Sequence, residues 1–343
     1  MDKRVILAVA GSGKSRAIID RVHEDSRTLI FTYTELNASQ LKQRIIKKLG
    51  YIPEGVRVYT YFSFLYSFCY RPLCGYELKT RGIIFPKESI SRFIKKNTRE
   101  YYIHNNNRIY AHRIAKLLIE FEVMSEVISR VERYFDLVCI DEVQDFASND
   151  FNLLCELSKA QIEIMLVGDF YQHTYDTSKD GNTRRNLHSS LDSYRRSLIS
   201  AGYLIDESSL SKSYRCSPTI CRFVSNKLRI NIESHRADEV DIKFIDDKYE
   251  IERVFLDASI VKLFYQSSYK YNGNTQNWGK VKGVDCYDDV CVVLNAKTFR
   301  AYQKNELYKL KPATLNKLYV ACTRAKRNLY FIEEKQLKSF KLE

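Results

Sequence analysis

A chain of 343 residues with 55 Lys+Arg against 42 Asp+Glu carries a formal charge of +13. Its 45% hydrophobic and 28% charged residues suit a chain that buries a core, and 12 glycines and 5 prolines are too few for a disordered one. No stretch approaches the roughly 18 apolar residues of a membrane span, which excludes an integral membrane protein, and the length suggests two domains.

The apolar run at the N-terminus ends in a glycine-rich loop and a lysine rather than a small-residue cleavage site, so export is not expected. Several of the nine cysteines sit in apolar runs, such as Cys139 and Cys291, and read as reduced thiols of a cytoplasmic protein. Cys69/Cys74, Cys216/Cys221 and Cys286/Cys291 share a C-x4-C spacing without a histidine cluster, so zinc is not expected. Excess positive charge with 25 tyrosines suits single-stranded nucleic acid, where cations follow the backbone and rings stack on bases. The same rings equally suit a core.

Residues 5–9 form a β-branched run leading into Ala10-Gly11-Ser12-Gly13-Lys14-Ser15, with a helical stretch over 16–23. Strand, glycine loop and helix are the context in which main-chain N–H groups cradle phosphates. Lys14 would reach the β/γ-phosphates and the Ser15 hydroxyl would hold magnesium. Ala8 stands where the full pattern has its first glycine. A second strand is expected at 28–32, a helix at 37–49 ended by Gly50, and a third strand at 56–60 before an aromatic cluster. This alternation argues for an α/β chain with a parallel sheet.

The apolar run 137–140 reads as a buried central strand ending in Asp141 and Glu142. Beside a phosphate loop, Asp141 can orient magnesium through water and Glu142 can polarise the water that attacks the γ-phosphate. A fourth strand at 162–167 runs into Gly168-Asp169-Phe170-Tyr171-Gln172, where Gln172 can bond both water and γ-phosphate. The segments 178–186 and 269–279, rich in Asn, Gly and Ser, read as exposed loops.

GSGKS, TYTELNASQLKQRI, TYFSF, IDEVQD, VGDFYQ, SYRCSPTIC, VKGVD and YVACTRAK follow one another in the chain. In this order they resemble the motifs of superfamily 1 helicases of the UvrD/Rep type, over about residues 7–332. With Asn277-Trp278-Gly279 before VKG, the series is most similar to compact UvrD-like ATPases of mobile elements and phage-defence loci.

The resemblance implies two RecA-like P-loop NTPase domains with parallel sheets. These would be residues 1–205, with a helical insertion at about 65–135, and 206–343, without the family's large second-domain insertion. It implies an ATP- and magnesium-dependent translocase or helicase moving 3′ to 5′ on single-stranded or partly single-stranded DNA. Tyr214 would stack on adenine; Arg215 and Arg324 would touch the γ-phosphate; Gln172 would couple that phosphate to DNA. Asp285, where the family usually has Glu, would accept a ribose hydroxyl. For DNA, Thr32, Thr60 and Ser63 would meet phosphates and Tyr33 and Tyr175 would stack on bases. Asn277 and Gly279 stand where the family has DNA-contacting Thr and His.

Seven basic residues between Ser91 and Ile119 (Arg92, Lys95, Lys96, Arg99, Arg108, Arg113, Lys116), with Tyr101, Tyr102 and Tyr110, read either as a patch for a DNA backbone or as a solvated helical face. The stretch from Arg215 to Lys282 is too short for an added domain of ~100–150 residues. That brevity motivates an alternative: a nucleotide-regulated DNA-binding or effector subunit of a complex with a nuclease or other protein partner, unwinding little by itself. A P-loop kinase or GTPase explains neither YVACTRAK nor the Tyr-Arg pair.

Overall fold

Runs of buried β-branched and aromatic residues build two parallel sheets. The structure, a computed structural model, describes residues 1–85, 94–96, 98–174 and 183–342. The chain divides into one unit of Met1–Ile6, Ser15–Gly168 and Asp176–Asp206, and a second of Leu7–Lys14, Asp169–Tyr175 and Glu207–Glu343. A single break near residue 205 would assign the glycine loop and the Gln172 segment to the first unit. They pack with the second because Val9 N donates to Leu210 O at 3.1 Å, Ala10 enters that unit's core, and Asn316 Nδ2 donates to His173 O at 2.8 Å.

In the first unit the strands are β1 (Lys3–Leu7), β2 (Thr28–Thr32), β3 (Arg57–Thr60), β4 (Ile83–Ile84), β5 (Ile109–Tyr110), β6 (Leu137–Asp141), β7 (Glu163–Gly168) and β8 (Leu204–Asp206). Six of them form a sheet in the order β3-β2-β6-β7-β1-β8, with parallel pairing of β2 to β3 and β6, β6 to β7, and β1 to β8. Every residue of β2 and β6 is buried, as central strands covered on both faces require. The helix Glu35–Leu49 starts where the Thr34 side chain accepts from Asn37 N. It stops at Gly50, whose φ of 85° is left-handed, a conformation that costs glycine no Cβ clash. Ala38, Leu41 and Ile45 bury its apolar stripe.

The insertion is a set of short helices with a small β4–β5 ladder. Its basic-aromatic stretch is divided, with Lys95, Lys96, Arg99 and Arg108 exposed and its rings turned inward. Tyr101, Tyr102, Tyr110, Arg113 and Lys116 are all buried. The Arg113 guanidinium lies 3.7 Å from the Tyr101 ring centroid, and Lys116 Nζ donates to the Tyr101 hydroxyl at 2.8 Å. Long cationic stems and rings satisfy one another inside the insertion. These tyrosines have no face left for a base. Arg92 lies outside the described residues.

The second unit contains β9 (Lys212–Ser213) and β10 (Glu233–Ser234), which pair with each other. It also contains β11 (Ile242–Phe244), β12 (Val261–Phe264), β13 (Thr275–Asn277), β14 (Val290–Leu294) and β15 (Leu329–Glu333), ordered β11-β15-β14-β12-β13. All four pairings in this sheet are parallel. Alternation along β14 sends Val290, Val292 and Leu294 into one core and Cys291 and Val293 into the other. Each unit is thus an α/β layer structure on a parallel sheet, as RecA-like domains are. Among the described residues no helix is long and apolar enough to cross a membrane.

The stretch 269–279 is only in part the exposed loop its composition suggests: Tyr269, Lys270, Asn272, Gly273 and Gln276 are exposed, and the rest is not. Thr275–Asn277 pairs with β12, and Trp278 is fully buried with Nε1 donating to Leu263 O at 2.7 Å. Asn and Gly around it supply turns, while the indole supplies core volume. Trp278→Ala should therefore lower unfolding stability by about 3–5 kcal/mol. Tyr249→Ala, at a side chain 81% exposed, should stay within about 0.5 kcal/mol of the parent in the same urea titration.

Candidate functional site

The carboxylates ending β6 are positioned by the backbone before any ligand is considered. Glu142 adopts a left-handed conformation with φ 57°, an arrangement costing a non-glycine residue about 1–3 kcal/mol. Its N–H donates to Asp141 Oδ1 at 2.9 Å, and Ser15 Oγ donates to Asp141 Oδ2 at 3.2 Å. The Gln144 amide donates to the Glu142 carboxylate. Both acids are buried. Gly168 makes room for Gln144, because a Cβ there would lie 2.3 Å from Gln144 Oε1. Gln144 was not singled out from the sequence, although it stands within IDEVQD.

Ser15 and Asp141 together offer hard oxygen donors of the kind magnesium takes, alongside waters and phosphate oxygens. Among the described residues no group of three or more His, Cys, Asp and Glu side chains is placed to hold a metal alone.

In the second unit, Gly11 and Gly13 have φ of 72° and 94°, so the loop needs glycine at both. A Cβ on Gly11 would lie 2.7 Å from Arg215 Cβ and 2.8 Å from Ser213 Oγ. Gly11 O accepts from Tyr214 N at 2.9 Å. The buried Ser12 donates its hydroxyl to Val9 O at 2.9 Å, Ala10 N–H donates to Tyr319 Oη at 2.9 Å, and Lys14 opens the helix Lys14–Asp20. The glycine loop and the Tyr214-Arg215 pair, some two hundred residues apart, thus lie against each other.

Arg215 donates through Nη1 to Thr323 O at 3.2 Å and through Nη2 to the Asp285 carboxylate. Arg324 is 1% exposed; its Nε donates to Val320 O at 3.2 Å and its Nη1 to Val284 O at 3.0 Å, with Asp285 Oδ1 3.8 Å away. Burial first, and then the Arg215 charge, push the Arg324 pKa down to about 10, so it stays cationic at neutral pH. Its buried Nη2 has no partner among the described residues. An orphaned guanidinium donor costs stability in place and suits an anion with several oxygens, which planar guanidinium groups bind best. These residues fit a triphosphate.

Gln172 is buried, with Nε2 donating to Asp169 Oδ2 at 2.9 Å. The exposed Tyr214 ring stacks on His235 at 4.0 Å between centroids and 14° between planes. His235 was missed in the sequence, since only the β9–β10 pairing of Ser213 with Ser234 brings it beside Tyr214.

The residues expected to meet DNA are held differently. Thr32 is fully buried and its Oγ1 has no partner among the described residues. Tyr33 is half-buried, its centroid 5.4 Å from Phe62 and 6.2 Å from Tyr61. Thr60 Oγ1 accepts from Ser63 N at 3.2 Å and donates to Ser63 Oγ at 2.8 Å. Tyr175 lies outside the described residues.

A protein family described as an AAA domain matches residues 2–178. No curated protein matches the chain. Among solved structures, the chain is similar to Arterivirus nonstructural protein 10 (helicase) in complex with DNA, at 12% identity and a TM-score of 0.49 over 98% of this chain and 63% of that one. It is also similar to the PRRSV helicase, at 13% identity and a TM-score of 0.48 over 99% of this chain and 54% of that one. The chain spans less than two thirds of the length of either protein.

The Asp285 carboxylate accepts from Arg215 and lies 3.8 Å from Arg324 Nη1, so a phosphate reaching both arginines would have to displace it. Asp285→Ala should tighten binding of a fluorescent ATP analogue by up to about fivefold, the yield of releasing a part-exposed ion pair worth ~1 kcal/mol. Weakened binding would instead make Asp285 a direct ligand of the nucleotide.

Proposed function

We propose, from the premise that the chain belongs to the protein family described as an AAA domain, that it is a superfamily 1 P-loop ATPase of the UvrD/Rep type, a DNA-dependent ATPase translocating 3′ to 5′ on single-stranded DNA. The observation that carries the nucleotide half of this reading is the unpartnered buried Nη2 of Arg324, in the same unit as a glycine loop packed on Arg215; DNA dependence and direction rest on the motif resemblance. In this reading Lys14 and the main-chain groups of residues 10–13 hold the phosphate chain, except the Ala10 N–H, which the Tyr319 hydroxyl takes. Arg215 and Arg324 stabilise charge spread over the transferring phosphoryl oxygens. Glu142, kept in place by Gln144, orients the attacking water and takes its proton.

Magnesium would be held by Ser15 and, through water, by Asp141, and when bound neutralises charge on the β- and γ-oxygens. Tyr214, backed by His235, offers its outer face to the base, and Gln172 reports the γ-phosphate to the DNA-binding residues. Thr32, Tyr33, Thr60, Ser63 and Tyr175 are the DNA set, and Asp285, expected from the sequence to accept a ribose hydroxyl, acts in this reading as the carboxylate that the phosphates displace from the arginines. A cytoplasmic location rests on nine unpaired cysteines, seven of them buried.

A second reading draws on the shortness of the stretch from Arg215 to Lys282, which forms only β10–β13 with short helices. It is a nucleotide-regulated subunit working with a nuclease or another partner. Strand displacement by the isolated chain separates the two.

Single-stranded DNA should raise ATP turnover severalfold in a coupled phosphate-release assay. Lys14→Ala should lower turnover about 100-fold or more, the size of one lost preorganised electrostatic contact. Turnover indifferent to DNA would sink the translocase reading.

A further inference from the structure

One buried phenol joins three segments that the site needs. Tyr319 lies in the helix Pro312–Cys322 and is completely buried. Its hydroxyl accepts from Ala10 N–H at 2.9 Å and donates to Asp169 Oδ2 at 2.9 Å. The same Oδ2 accepts from Gln172 Nε2 at 2.9 Å, and Asp169 Oδ1 accepts from Tyr171 N at 3.1 Å. Asn316, nearly one turn earlier on the helix, ties it to His173 O. Two residues beyond its end stands Arg324.

The requirement is for a hydroxyl and not for bulk. A phenylalanine would fill the same space, yet a phenol alone accepts from an amide and donates to a carboxylate at once. Burial and the Asp169 charge hold the Tyr319 pKa well above its ordinary value, so the donated proton stays on the phenol. Ala10 belongs to the loop whose peptide groups would face the phosphates. A shift of that amide either carries the phenol with it or breaks the bond, and the phenol holds the carboxylate that orients Gln172.

We infer that Tyr319 is a positioning residue that couples the glycine loop to Gln172, so that stimulation of hydrolysis by single-stranded DNA depends on its hydroxyl. The inference rests on the ATPase reading above. It supplies a contiguous physical link of the kind such coupling needs.

The experiment measures KM for ATP and the ratio of turnover with and without saturating single-stranded DNA, in the full chain and in Tyr319→Phe. The expected result is a KM within about threefold of the parent and a stimulation ratio that falls to near unity. Should Tyr319→Phe not fold, Asp169→Asn tests the same link, since it keeps an acceptor for the phenol and weakens the hold on Gln172. It should lower the stimulation ratio with KM little changed. Parent-like stimulation in the folded variants, whatever their melting temperature, overturns the inference and leaves the ATPase reading standing. Absence of stimulation in the parent overturns that reading itself, and this inference with it.

Discussion

Arg215 and Arg324 bring two guanidinium groups to one partly exposed carboxylate, Asp285. Like charges at that spacing repel, and burial adds a desolvation penalty that lowers the Arg324 pKa to about 10. A single carboxylate, 57% exposed, answers only part of that charge. The remaining donor capacity, most plainly Arg324 Nη2, favours a polyanion. Much else in the second unit serves to hold this unfavourable arrangement. Carbonyls of Val320, Val284 and Thr323 accept from the two guanidinium groups, and the glycine loop has no side chain where it meets Arg215.

The carboxylate end of β6 stores strain of another kind. Glu142 is held at positive φ, between its own hydrogen bond to Asp141 and the amide of Gln144. Gly168 on the neighbouring strand exists to admit that amide. Such conformations persist only where the surroundings over-determine them, and here a buried sheet and a buried glutamine do so. Hydrolysis, in the proposed reading, needs this side chain fixed before water arrives, because a mobile carboxylate would lose the benefit of preorganisation.

Five strands of the first unit, β1, β2, β3, β6 and β7, were legible as apolar runs bounded by turn residues, since a parallel sheet buried on both faces leaves little choice of side chain, whereas the strands of the second unit were not singled out. The glycine loop and Asp141 with Glu142 stood out in the sequence because phosphate chemistry calls for particular residue types at particular spacings, whereas Arg215 stood out only through the family resemblance. The burial of Tyr101, Arg113 and Lys116 was not legible. A basic-aromatic stretch reads the same whether its cations face solvent or pack on rings, and their burial depends on how the insertion folds over them. Trp278 was hidden likewise among turn-forming neighbours.

By itself the chain determined which residue types stand at which spacing, hence the α/β class, the strand ends and the phosphate-binding loop. Tertiary structure alone decided which distant side chains meet. Asp285 beside both arginines, His235 behind Tyr214 and the phenol of Tyr319 between Ala10 and Asp169 are contacts spanning 21 to 309 residues. No local periodicity encodes such pairs, because a hydrogen bond or ring stack depends on separation in space, and only the packed sheets and helices set that separation.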